Sequence, residues 1–164
     1  MSNKKIKIDS NIVRLLIILL VFIVLACVTK PSQFIKIANF QTMAKALSEY
    51  GLMAVGVGIC MISGGIDLST VYIANLCGIL SGLYLQGGGN NAVAVLIALV
   101  VGAACGAFNG FLVSYLKIPA MLATLGSYQL FQGIAIVISG GSTVSGIPAS
   151  FTSFATTALF SYIP

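Results

Sequence analysis

Charge is the scarcest property of this sequence, and histidine is missing from it altogether. Of its 164 residues only 7% are charged and three are acidic, against about 25% charged in a typical soluble domain. So few charges cannot wet a water-facing exterior. Without histidine there is no Ser/His/Asp set and no mixed Cys/His metal site. The four cysteines (Cys27, Cys60, Cys77 and Cys105) form no C-x-x-C pair, and each lies inside an apolar run where it packs as a small apolar residue. No G-x-x-x-x-G-K-[ST] loop is present to cradle a nucleotide phosphate. Neither catalysis nor a metal or other cofactor is expected.

Apolar residues are what the sequence has instead: 59% of the chain is hydrophobic and its mean hydropathy is +1.09. The exterior must therefore face lipid. Five stretches read as membrane helices: Ile12 to Val28, Ala46 to Ser63, Leu68 to Leu85, Ala92 to Tyr115 and Pro119 to Ser139. Each approaches the roughly 20 residues that cross about 30 Å of hydrocarbon at 1.5 Å per residue. The predicted fold class is all-α, a polytopic transmembrane helical bundle of about five spans. Its domains are a basic extension over residues 1–11 and a membrane domain over residues 12–164.

The net charge of +5 marks topology rather than nucleic-acid binding, because the cations do not form a patch on a folded surface. Lys4, Lys5, Lys7 and Arg14 place the N-terminus in the cytoplasm, and Lys117, between the fourth and fifth spans, returns to that side. Lys30, Lys36 and Lys45 fall outside, against the rule. Pro31 to Lys45 mixes apolar and polar residues and reads as a short helix lying along the outer interface. Gly87-Gly88-Gly89-Asn90-Asn91 reads as a tight external loop. Leu25-Ala26-Cys27 approximates a lipoprotein cleavage site, but the chain continues as further membrane spans, so the first segment is read as an uncleaved span. The end at Ser161-Tyr162-Ile163-Pro164 lacks a polar tail, which leads to the expectation of a truncated chain.

An ionisable group at membrane depth is a functional hypothesis by default. Beyond residue 9 the acids are Glu49, read as interfacial, and Asp67. Asp67 stands in Ile62-Ser63-Gly64-Gly65-Ile66-Asp67-Leu68-Ser69-Thr70, where one helix stops and the next begins. One reading has Asp67 and Ser69 capping the N–H groups that open the next helix. The other has this broken element lining an aqueous path. Gly102, Gly106 and Gly110 form a G-x-x-x-G-x-x-x-G stripe for close helix packing, and Gly51, Ala54, Gly56 and Gly58 fill the second span similarly. Asn109 can add an interhelical hydrogen bond. Ile62-Ser63-Gly64-Gly65 is echoed by Ile138-Ser139-Gly140-Gly141, as an inverted repeat would require.

Gly64-Gly65-Ile66-Asp67-Leu68-Ser69 resembles the signature of permease subunits of ribose-type ABC importers, within the wider group that includes branched-chain amino-acid permeases. Three more stretches resemble that family in the same order: Asn109-Gly110 with Leu112-Val113, Lys117-Ile118-Pro119 with Ala123-Thr124-Leu125-Gly126, and Gly140-Gly141 with Gly146-Ile147-Pro148. The likeness runs over about residues 12–152. One departure is Thr70-Val71 after Ser69, where the family signature continues with Val-Gly.

The resemblance implies half of a translocation path for a monosaccharide or similar small polar solute, with Gly64, Gly65, Asp67, Ser69, Asn109 and Thr124 on or near it. The implied partners are an ABC ATPase subunit, an extracytoplasmic sugar-binding protein, a second permease subunit and the lipid of the bacterial cell membrane. Family permeases are longer, and their ATPase-docking helix is expected beyond Pro164. Two alternatives remain open: an ion-coupled secondary transporter using Asp67, and a non-transporting scaffold that associates through Gly102, Gly106 and Gly110.

Overall fold

The computed structural model describes residues 10–156, so the basic residues Lys4, Lys5 and Lys7 and the terminal Ser161 to Pro164 lie outside the described residues. Seven helices follow one another: α1 (Ser10–Thr29), α2 (Pro31–Phe34), α3 (Ile37–Ile62), α4 (Thr70–Gln86), α5 (Asn91–Ser114), α6 (Ala120–Ser139) and α7 (Ala149–Thr156). α1, α3, α5 and α6 are long and apolar enough to cross a membrane. α4 is apolar but has 17 residues, about 26 Å of helix. It starts two residues later than its hydrophobicity suggests, because Ile66 to Ser69 form a non-helical lead-in. The described chain is thus an all-helical polytopic bundle.

The segment expected to lie along the interface is organised differently. Only the single turn α2 is separate; from Ile37 the chain runs without a break into the second span. Nothing between Ile37 and Ile62 stops a helix, since the segment lacks proline and its glycines are isolated. Glu49 consequently sits in the middle of a 26-residue helix.

The echo between Ile62-Ser63-Gly64-Gly65 and Ile138-Ser139-Gly140-Gly141 proves to be a shared way of ending a helix. Gly64 (φ 89°) and Gly140 (φ 61°) are left-handed. Gly65 N donates to Cys60 O and Gly64 N to Met61 O, while Gly141 N donates to Ile136 O and Gly140 N to Val137 O. That pair of bonds is the Schellman closure. In each case the serine hydroxyl also donates to the carbonyl three residues back, Ser63 to Cys60 and Ser139 to Ile136. α4 ends on the same bond pattern at Gly88 and Gly89, within an unrelated sequence. The likeness therefore follows from stop chemistry and needs no internal duplication.

α4 is the hub. α5 packs against it antiparallel: Ser81 Oγ donates to Ala94 O at 3.0 Å near one end, and Asn109 meets Ser69 at the other. α6 packs parallel to it, with Tyr72 and Tyr128 paired near the helix starts and Gly82 against Val144 just beyond α6. Leu76, Cys105, Phe131 and Ala135 form the buried core between the three helices. The segment after α6 folds back over α4, where Gln86 Nε2 donates to Ser145 O at 3.0 Å. Asn90 starts α5 by accepting from Ala92 N at 2.8 Å. In contrast, α1, α2 and α3 bury no residue. The close packing expected of Gly51, Gly56 and Gly58 is not formed among the described residues, for a Cβ added at any of them meets nothing within 4 Å.

Candidate functional site

Residues 63–69 are a non-helical hinge between α3 and α4, so their backbone groups must find hydrogen bonds outside a helix. Asp67 supplies one set locally. Its Oδ1 accepts from Ser69 N at 2.8 Å and from Ser69 Oγ at 2.7 Å, an Asx turn that presents Ser69 at the start of α4. Ser69 is fully buried, and its hydroxyl does not cap the helix as its position suggests. It points to Asp67 and accepts from Asn109 Nδ2 of α5 at 2.7 Å. The result is a polarised chain, amide to hydroxyl to carboxylate, in which each bond strengthens the next.

Thr124 of α6 supplies the other set. Its Oγ1 accepts from Leu68 N at 3.2 Å and lies 3.1 Å from Ile66 O and 2.8 Å from Ala120 O. With a single hydroxyl proton it can serve one of those carbonyls at a time. Gly65 permits the closeness this needs: a Cβ there would stand 3.0 Å from Ala120 Cβ at the start of α6. Two hydroxyls and one amide thus tie the hinge to α5 and α6 across sequence separations of 40 and 58 residues.

The hinge borders a cavity of about 480 Å³ lined by Gly64, Gly65, Asp67, Asn109 and Thr124, with Gly106 and Gly110 beside them. Of the residues the sequence singles out, Gly64, Gly65, Asp67, Asn109 and Thr124 all meet here, and Ser69 lies buried behind them. Asn109 is 7% exposed, and its Oδ1 has no hydrogen-bond partner among the described residues. The glycine stripe divides. A Cβ on Gly102 would touch Cys77 Sγ of α4 at 3.6 Å, whereas Gly106 and Gly110 face open space. Asp67 has no second carboxylate beside it among the lining residues, so the arrangement offers a fixed polar surface and no acid–base pair.

A second, larger cavity of about 640 Å³ lies further along the seam between α4 and α6, bordered also by Gly141, Ser142, Thr143, Val144 and Ile147. Tyr72, Asn75, Gln132, Ser139, Ser142 and Thr143 give it a polar lining. Tyr72 is held edge-on against Tyr128, with ring centroids 4.3 Å apart at 75° and the two hydroxyls 3.4 Å apart. Sequence reasoning missed this site. The available signal was an uncharged amide inside each of two apolar helices, Asn75 and Gln132, each in helical register with a tyrosine three or four residues before it.

In both cavities, polar side chains carried on apolar helices turn toward a shared space. Over 150 residues the chain is 35% identical to the "Autoinducer 2 import system permease protein LsrC" of Yersinia pestis and of Yersinia pseudotuberculosis, covering 92% of this chain and 42% of each relative. The protein of that name from Yersinia enterocolitica is also 35% identical, with 92% and 41% covered. The chain therefore spans about two fifths of the length of these curated relatives. No solved structure matches it. Residues 39–163, well over half of the chain, match the family described as the branched-chain amino acid transport system / permease component, and the chain belongs to that family of membrane transport components.

Proposed function

We propose that this chain is a permease subunit of an ATP-driven importer in the bacterial cell membrane, carrying a monosaccharide or similar small polar solute. The observation that carries this reading is the tethered hinge. Asp67, Ser69, Asn109 and Thr124, from three separated stretches, meet at one break in the helices beside a cavity of about 480 Å³. A broken element at membrane depth belongs where it lines a path. Residues 1–11 then extend into the cytoplasm, residues 12–164 are membrane-embedded, and α4 and α6 both run outward.

In this reading a separate ATPase subunit hydrolyses ATP, an extracytoplasmic binding protein delivers the solute, and a second permease subunit completes the path. Gly106 and Gly110 of α5 border the hinge cavity and meet open space, and the second subunit packs where it closes that open side. Autoinducer 2, the solute in the relatives' name, is one candidate cargo.

Purification of the tagged chain from its native membrane in mild detergent should bring an ATPase and a substrate-binding protein with it. Vesicles made from that complex should take up sugar in proportion to ATP supplied. If uptake collapses with a protonophore while ATP is held constant, the carrier is ion-coupled and Asp67→Asn should abolish coupling. If the chain associates only with itself and no solute moves, it is a scaffold.

A further inference from the structure

We propose that the 640 Å³ cavity between α4 and α6 is a binding subsite for the transported solute, that it selects an uncharged polyhydroxylated molecule of monosaccharide size, and that Asn75 and Gln132 determine that selectivity. The inference rests on the transport reading above and names the site and the chemistry within it.

Tyr72, Asn75 and Ile79 project from one face of α4, at the three- and four-residue steps of a helical stripe. Gln132, Ile136 and Ser139 do the same on α6, so the two stripes face one space. A carboxamide on an apolar helix is costly unless it meets a polar partner. Neither the Asn75 nor the Gln132 side chain makes a hydrogen bond to another described residue. Two unpartnered amides thus converge on one cavity from two helices. Each offers two donors and an acceptor, the pairing that a hydroxyl, itself donor and acceptor, can satisfy from either side.

Size and charge narrow the ligand. About 640 Å³ lies in the range of small-molecule sites. Tyr72, held edge-on by Tyr128 behind it, adds an aromatic surface suited to the C–H face of a ring. Among the described residues that line the cavity, none bears a carboxylate, amine or guanidinium. An amino-acid zwitterion would leave both of its charges unpaired here, at a large cost. A neutral polyol leaves none. The family's description names branched-chain amino acids; the lining of this cavity offers no side-chain charge to pair with either end of one.

The purified transport complex in nanodiscs tests the inference with Asn75→Cys and, on the other helix, Gln132→Cys. The natural cysteines lie outside this cavity, so the unmutated complex gives the background. Modification by a charged methanethiosulfonate should slow at least fivefold in D-ribose and not in L-leucine at the same concentration. Val137→Cys, on the exposed side of α6, should respond to neither. Gln132→Leu should lower ATP-driven ribose uptake at least tenfold with the complex still assembled, and Gln132→Asn should restore part of it. Protection by leucine equal to that by ribose overturns the inference. So does the absence of protection at both cysteines in a complex that still imports ribose, and in that outcome the transport reading stands. Protection by ribose in a complex that imports no sugar would instead sink the transport reading and keep the subsite.

Discussion

α1 and α4 are both apolar helices, yet they behave as opposites. α1 is aliphatic nearly throughout and buries nothing; Leu20 is 63% and Phe22 66% exposed. α4 carries serine, threonine, asparagine, tyrosine and two glycines among its aliphatic residues, and it holds the centre of the bundle with Leu76 4% and Leu85 1% exposed. In water the more apolar helix would be the more deeply buried. In lipid, hydrophobicity decides only whether a helix enters the bilayer, because the surrounding chains are as apolar as leucine. Which helices then pack is decided by small residues, which let backbones approach, and by polar ones that need each other. α4, α5 and α6 have both, and α1 has almost neither.

The sharpest way to break this comparison is to shorten a leucine in each region. Leu76→Ala opens a cavity among Cys105, Phe131 and Ala135 and should destabilise the bundle by about 2 kcal/mol, the lower part of the usual core range because the transfer contribution is largely absent in lipid. Leu20→Ala should change stability by less than about 0.5 kcal/mol. Unfolding in mixed micelles followed by circular dichroism measures both. Equal losses would mean that α1 has a packing partner of its own and that the contrast fails.

The next largest effect tests the polar part of the argument. Ser69→Ala removes the hydroxyl that Asn109 donates to and that donates to Asp67, with an expected cost of about 1–2 kcal/mol. Asn109→Leu should cost less, since it also removes the orphaned Oδ1. The two losses should not add, because the residues share one chain of bonds. Additive losses in the same unfolding assay would show that the hinge is not held through Asn109.

These polar tethers also mark how far the sequence could be read. The five apolar helices were legible because apolar length is nearly the only requirement for crossing a bilayer. The hinge was legible too, because Gly64-Gly65 interrupts a helix and Asp67 is out of place in a span. Asn109 was legible as a donor between helices but without its partner, and Thr124 only through family resemblance, for no periodicity links Ser69 to Asn109 or Ile66 to Thr124. Asn75 and Gln132 were missed because a single neutral amide barely lowers the hydropathy of a span. The start of α3 was misplaced for the converse reason: Lys36, Gln41 and Lys45 argue against burial in lipid but not against helix. The strained turn at Lys117 left no trace, since lysine is not a residue that advertises a left-handed backbone.

Lys117 has φ 56° in the short link between α5 and α6, where Ile118 N reaches back to Leu112 O at 3.2 Å. A left-handed conformation costs a residue with a Cβ about 1–2 kcal/mol. Lys117→Gly should therefore stabilise the bundle by up to about 1 kcal/mol, the remainder being lost to the freer unfolded chain. A loss of stability would mean that the lysine side chain contributes more than its backbone costs. If Lys117 lies on the cytoplasmic side as the distribution of cations predicts, cysteine accessibility on either side of the membrane will show whether the same change weakens orientation.

The smallest expected effect separates the two halves of the glycine stripe. At Gly102 an added methyl sits in ordinary contact with Cys77, and a leucine has nowhere to go but into α4. At Gly106 a Cβ meets nothing. Gly106→Ala should thus stabilise the isolated chain by a few tenths of a kcal/mol up to about 1, through helix propensity alone. Gly106→Leu should be close to neutral there, while Gly102→Leu should disturb the α4–α5 seam. If the open half of the stripe receives a second permease subunit, Gly106→Leu will dissociate the pair while leaving the fold of each chain unchanged. Cross-linking and unfolding of one preparation therefore answer separate questions: whether α5 is finished by α4, or only half finished by it.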